Sequence, residues 1–262
     1  MTPMRRQPTT LAFAFLLLAQ AALAGGLGVA PPFFELSLNP GEVVEKGVTA
    51  FAVGTSFEQV RARVVDWTVG ENGAVQVLNP GELPYSAASW IELKTPPFAL
   101  AEQQRVTVSF AIRVPPNPGD GSFSAGILLE PQAKPPRGAK GKTLRVQGRM
   151  LVPVLIRIPG TLAPGYRLVR SRIQGNAFEV TVENTGNTYL SFDGEVRFLS
   201  PEGVVVKSGR APHLFLDRES RVTVRIPIPR EVREKAILVA VDYWVNGFPL
   251  PRLYAEEVLP QP

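Results

Sequence analysis

Short runs of alternating apolar and polar residues, punctuated by proline and glycine, fill most of the chain. Phe34-Glu35-Leu36-Ser37-Leu38 alternates and is turned by Pro40-Gly41. Val48 to Val53 and Val60 to Val69 are β-rich, and the second contains Asp66-Trp67. The segment Arg105 to Val114 puts Val106, Val108, Phe110, Ile112 and Val114 on one face, with Arg105, Thr107 and Arg113 on the other. Period two of this kind belongs to half-buried strands. Pro115-Pro116 ends that strand, and Phe123 to Leu129 gives the next.

The segment 143–158 is the longest strand candidate. Leu144, Val146, Met150, Val152, Val154, Ile156 and Ile158 share a face, with Leu151 and Leu155 opposite. Pro153 has no N–H to give a ladder, so the pattern predicts an edge strand. A long apolar edge demands a cover, from within the protein or from a partner strand. Just before it, 131–142 carries Lys134, Arg137, Lys140 and Lys142 without an acid, among three prolines and two glycines. That composition predicts a solvated loop, or a basic loop that meets a partner.

Pro159-Gly160-Thr161 and Pro164-Gly165 mark a junction, and a second series of strands begins at Tyr166. Phe178 to Glu183 alternates before the turn Asn184-Thr185-Gly186-Asn187. Segments 194–199, 204–207, 221–228 and 237–245 continue the series, and Arg230 to Lys235 is predicted to make one helical turn. Asn246-Gly247 signals a hairpin leading to a last strand over 253–258. About seven strands per half, at this spacing, predict an all-β protein of two tandem immunoglobulin-like β-sandwiches. The expected division is a signal peptide over 1–24, an N-terminal domain over 25–160 and a C-terminal domain over 161–262.

The expected signal peptide rests on Arg5-Arg6, the apolar run Leu11 to Leu18 and Ala22-Leu23-Ala24, with an uncleaved anchor as the alternative. Its apolar stretch is short for a membrane span, so the expectation is an exported protein of the periplasm or cell envelope with no stable membrane insertion. Removing it leaves 26 basic and 23 acidic residues, a net charge of +3. That balance, without a basic-aromatic stripe, gives no reason to expect nucleic acid as a partner. With 262 residues and 45% hydrophobic composition, two cores can be built. There is no cysteine, so neither disulfides nor thiolate chemistry are available.

Candidate chemistry is sparse. His213, the only histidine, lies beside Pro212 in an expected loop, and a triad or multi-histidine zinc site would need unusual partners for it. The aspartates 66, 193, 217 and 242 have no calcium-loop spacing, and no phosphate loop is present. The reading is therefore not an enzyme, with no cofactor and no metal. Trp67, Trp90 and Trp244 are expected to fill cores, a carbohydrate platform being the other reading.

The order of features resembles one family. The first strand and Pro40-Gly41 are followed by Val64-Val65-Asp66-Trp67, Ser89-Trp90-Ile91 and Pro97-Phe98-Ala99-Leu100. Val114-Pro115, Gly121-Ser122-Phe123-Ser124-Ala125-Gly126-Ile127, a long loop and a strand closing in Pro159-Gly160 complete the series. This layout is similar to that of the periplasmic pilus (fimbrial) assembly chaperone superfamily, as a distant member. The resemblance implies a chaperone that lends an edge strand to pilin-like or surface protein subunits by β-strand addition. It would lend Leu144, Val146, Met150, Val152 and Val154. Family members also hold the subunit's terminal carboxylate with an arginine near the first strand and a lysine in the lending strand. Here 33–38 contains no arginine and 150–156 no lysine, which leaves Arg149 as the possible carboxylate anchor. The alternative function is a structural or adhesive cell-envelope module, although the C-terminal residues 259–262 carry no anchor sequence.

Overall fold

The structure is a computed structural model, which describes residues 26–133 and 148–260. The signal-peptide residues lie outside this range, and so do Lys134, Arg137, Lys140, Lys142, Leu144 and Val146. The fold is all-β, two immunoglobulin-like sandwiches.

The first sandwich contains β1 (Gly26–Ala30), β2 (Phe34–Ser37), β3 (Val43–Val53), β4 (Phe57–Val69) and β5 (Val75–Leu78). It continues with β6 (Ile91–Leu93), β7 (Phe98–Leu100), β8 (Arg105–Arg113), β9 (Ser122–Ala133) and β10 (Met150–Arg157). One sheet has the order β1-β3-β8-β6. The other runs β2-β10-β9-β4-β5, with β7 also on β4. Strand β1 pairs antiparallel with β3 up to Ala30, and the chain crosses at the cis Ala30–Pro31 peptide. After this crossing β2 pairs parallel with β10. The two prolines, which cannot donate to a ladder, thus separate the expected strand β2 from β1, which the alternation does not predict, on different sheets.

The second sandwich contains β11 (Tyr166–Gln174), β12 (Ala177–Asn184), β13 (Leu190–Leu199) and β14 (Val205–Arg210). It ends with β15 (Leu214–Leu216), β16 (Arg221–Pro227), β17 (Leu238–Val245) and β18 (Leu253–Val258). Its sheets are β11-β12-β16 and β14-β13-β17-β18, with β15 also on β13. The expected helical turn is a 3-10 turn over Arg230–Val232. The described residues form ten strands in the first half and eight in the second, because β1, β5, β6, β7 and β15 lie in segments where the sequence pattern predicts no strand. Asn246-Gly247 does turn the chain, with Gly247 at φ 79°, but seven residues separate β17 from β18 rather than two.

Alternation dictates both cores. Val108, Phe110 and Ile112 of β8 meet Ile127 and Leu129 of β9, and Val152, Val154 and Ile156 of β10. Trp90 packs there against Phe123, ring centres 4.6 Å apart. The second core gathers Phe178, Val180 and Val182 of β12 with Val222, Val224 and Ile226 of β16 and Val239 and Val241 of β17. Trp244 departs from expectation. It is exposed and carries Arg252 over its ring at 5.6 Å, because on β17 it alternates out of phase with the buried Tyr243 and Val245.

A small third cluster, Trp67, Leu155 and Tyr189, lies where the two sandwiches meet. Trp67 donates its indole N–H to Ala125 O at 2.9 Å and stacks on Phe215, which stacks on Tyr189. The neighbouring Asp66 is fully buried, and its carboxylate accepts the N–H groups of Gly81 and Leu83 and the hydroxyl of Ser86. The junction is further laced by Ser122 N–H to Asn187 O, Tyr189 N–H to Ser122 Oγ and Thr223 N–H to Glu71 O. Gly121, at φ 98°, has to be glycine: a Cβ there would stand 2.1 Å from Asn187 O.

Candidate functional site

Strand β10 has two unlike faces and two unlike halves. Along its whole length it pairs antiparallel with β9, from Met150 opposite Leu129 to Arg157 opposite Ser122. On the other side β2 covers only Val154 to Arg157. Among the described residues, Met150 to Pro153 therefore have no strand on their outer side. The edge predicted from Pro153 exists, but only over this half.

Side-chain placement corrects the expected lending set. Val152 and Val154 have no exposed surface and fill the first core, so they are not free for another protein. The sequence pattern names the apolar face correctly but cannot say which molecule it packs against. Of the five residues, only Met150 is both described and partly exposed, at the margin of that core. Arg149, the expected carboxylate anchor, is exposed. Its Nε faces Glu130 Oε1 at 3.6 Å on the outside of the sheet, and Glu130 is shared with Arg63.

The opposite face of β10 looks into a cleft of about 630 Å3 between the sandwiches. Pro153, Leu155 and Arg157 line one wall with Pro32, Phe33 and Glu35. Ser191, His213, Phe215 and Asn246 line the other. Phe33 is half exposed, an unusual position for so large an apolar side chain. The guanidinium of Arg157 lies 4.3 Å from the ring centre of Tyr189 and 5.0 Å from that of Phe248. Its Nε is buried without a hydrogen-bond partner, and no carboxylate pairs with it among the described residues. Sequence reasoning missed Arg157. The signal available was alternation: Arg157 is the one charged residue on the Leu151-Leu155 face of an otherwise apolar strand.

His213 sits at the cleft's second wall, its Nδ1 3.4 Å from Asp193 Oδ1 and its Nε2 3.4 Å from Ser191 Oγ. These are the residue types of a hydrolytic triad. Both contacts are long for hydrogen bonds, and histidine and aspartate stand largely in solvent. Asn246 Nδ2 donates to Asp193 Oδ2 at 3.2 Å. That bond, and then the one from His213, hold the aspartate carboxyl below its usual range.

Behind the cleft, Asp217 is buried at the junction. Its Oδ1 accepts the Arg218 N–H at 2.9 Å, and its Oδ2 faces the Tyr85 hydroxyl of the first sandwich at 3.4 Å. Burial pushes its carboxyl up to about 7, against the opposing pull of these hydrogen bonds, of Thr68 and of the Arg218 charge. Among the described residues no group of three or more His, Asp or Glu could hold a metal ion. No helix among them is long and apolar enough to cross a membrane.

No family model and no curated relative matches the chain. Solved structures do. One is in the CsuC–CsuE chaperone–tip adhesion subunit pre-assembly complex of archaic chaperone-usher Csu pili of Acinetobacter baumannii. It has 13% identity, TM-score 0.47, and covers 88% of this chain and 97% of that one. Another is the E. coli chaperone DraB, with 14% identity, TM-score 0.43, and 88% and 97% covered. A third is the Pseudomonas aeruginosa CupB2 chaperone, with 14% identity, TM-score 0.40, and 87% and 99% covered. Each is a chaperone or a complex that contains one.

Proposed function

We propose that this chain is an exported, non-enzymatic chaperone or assembly factor that captures surface or pilus-like protein subunits by β-strand addition. Its working parts are an N-terminal domain over 25–160 and a C-terminal domain over 161–262. The observation that carries the reading is the half-covered strand β10, whose Met150 to Pro153 edge leads into the cleft. A strand added there forms main-chain hydrogen bonds along the part of β10 that β2 leaves uncovered, while its alternate side chains reach the cleft's apolar walls. Strand β2 already lies parallel to β10 and begins beside the cleft at Phe34. A client strand added in the same sense, ahead of β2, brings its C-terminal end to Phe33, at the cleft that Arg157 also lines. Arg157, rather than Arg149, is then the cation for the client's terminal carboxylate. A guanidinium with no internal acid suits that role, since a charge-assisted pair within a partly desolvated cleft is stronger than one on the surface.

Site-specific photo-cross-linking in the native host tests the reading. A benzoylphenylalanine at Met150 or Phe33 is expected to trap protein subunits, whereas one at the exposed Val205 of β14 is not. Equal trapping at all three positions would refute it.

A further inference from the structure

The outer face of the β11-β12-β16 sheet is a ladder of charges in three rows. In the first row Arg167, Glu183 and Arg221 are cross-strand neighbours. Arg167 and Arg221 both donate to the Glu183 carboxylate, the latter at 3.1 Å. In the third row Glu179 lies between Arg172, at 2.8 Å, and Arg225, at 3.2 Å. Each glutamate is thus held between two guanidiniums, and the hydrogen bonds from Arg167 and Arg221 keep Glu183 below the usual carboxylate range.

The middle row differs. Where its neighbours have glutamate, β12 carries Thr181, opposite Arg170 on one side and Thr223 on the other. The two threonine hydroxyls are 2.9 Å apart, and Arg170 Nε reaches Thr181 Oγ1 only at 3.4 Å. No carboxylate of the described residues pairs with Arg170. A recess of about 400 Å3 opens beside it, lined by Arg170, Arg172, Arg225 and Thr223, by Gln174 and the doubly paired Glu179, and by Glu71 and Asn72 of the β4–β5 turn. Five arginines face two glutamates on the ladder, and Glu71 at the rim leaves the surface at +2.

We propose that this face docks an acidic segment of a partner protein, with one carboxylate entering the recess at Arg170. That group supplies to the middle row the acid the other two rows have built in. Charge complementarity selects the occupant: the ladder repeats arginine–carboxylate–arginine twice at strand spacing, and planar guanidiniums match carboxylates in paired hydrogen bonds. The site lies on the second sandwich, away from the β10 edge, and does not depend on the capture reading above.

Fluorescence anisotropy of a labelled hexaglutamate peptide provides the test, on the full chain at low salt. Arg170→Gln is expected to weaken binding at least about fivefold, as loss of a charge-assisted pair implies. Arg105→Gln, on the exposed face of β8, is expected to leave it unchanged, and added salt to abolish it. Thermal melting of the Arg170→Gln protein verifies that it is folded. Equal binding by wild type and Arg170→Gln overturns the proposal. So does an Arg170-dependent capture by phosphatidylglycerol vesicles with no peptide binding, which would assign the face to a lipid surface.

Discussion

Arg157 of the first sandwich lies over the ring of Tyr189 of the second, 4.3 Å from its centre. The contact continues a stack that runs through Tyr189 and Phe215 to Trp67, so two side chains of the second sandwich lie between two of the first. It joins the wall of the cleft to the junction that holds the cleft's shape. A cation over a partly desolvated aromatic face is worth about 0.5–2 kcal/mol. A double-mutant cycle of Arg157→Met and Tyr189→Leu, followed by denaturant unfolding, is expected to return a coupling of that size. A coupling near zero would show that the two merely coincide.

Trp67 ties the first sandwich to the junction. Replacing it with alanine removes its stack on Phe215 and leaves Ala125 O without its indole donor. A loss of roughly 3–5 kcal/mol is expected from equilibrium unfolding, with Trp67→Phe losing less. A change within experimental error would contradict the assigned role.

Asp217 makes the junction sensitive to pH. Its folded value of about 7 lies above the ordinary 3.8, so on raising the pH the unfolded chain gives up this proton first. The corresponding stability is fully present below about pH 3.8 and is lost as pH rises towards 7. Asp217→Asn, which stays neutral, is expected to melt above wild type at pH 8 and close to it at pH 4. The same melting difference at both values would contradict a protonated Asp217.

Gly121 is expected to tolerate no side chain. Its φ of 98° and the 2.1 Å approach of Asn187 O force a Gly121→Ala protein to part the two sandwiches locally. Limited proteolysis should then cut the 159–165 linker faster than in wild type. An unchanged cleavage rate would show that the contact relaxes without cost.

Much of the fold was legible in the sequence because strands declare themselves by alternation: β8, β12, β16 and β18 lie where Arg105–Val114, Phe178–Glu183, Arg221–Ile226 and 253–258 place them. The crossing at Pro31 was not legible, since local pattern does not say which sheet a strand joins. The candidate site was read only in outline. Pro153 correctly signals an edge, but alternation could not distinguish a face turned to the protein's own core from one offered to a partner, and so Val152 and Val154 were misassigned. Arg157, Tyr189 and Phe248 come together only through the packing of two sandwiches, about which short-range periodicity is silent.

The burial of Val152 separates folding from capture. Val152→Asp places an unpaired carboxylate in the first core, at a cost of several kcal/mol against a total stability of about 5–15 kcal/mol for a typical domain. It is expected to unfold that domain by circular dichroism. Met150→Asp, at the core's margin, is expected to keep the fold while weakening subunit capture. A folded Val152→Asp protein would contradict the assigned packing.

Amide hydrogen exchange across Met150 to Val152, with and without a subunit trapped by cross-linking at Phe33, tests strand addition most directly. Amides of this segment that β9 leaves free should slow at least about tenfold in the complex, as pairing with an added strand requires. Unchanged exchange there, with protection arising only elsewhere on the protein, would contradict capture along β10.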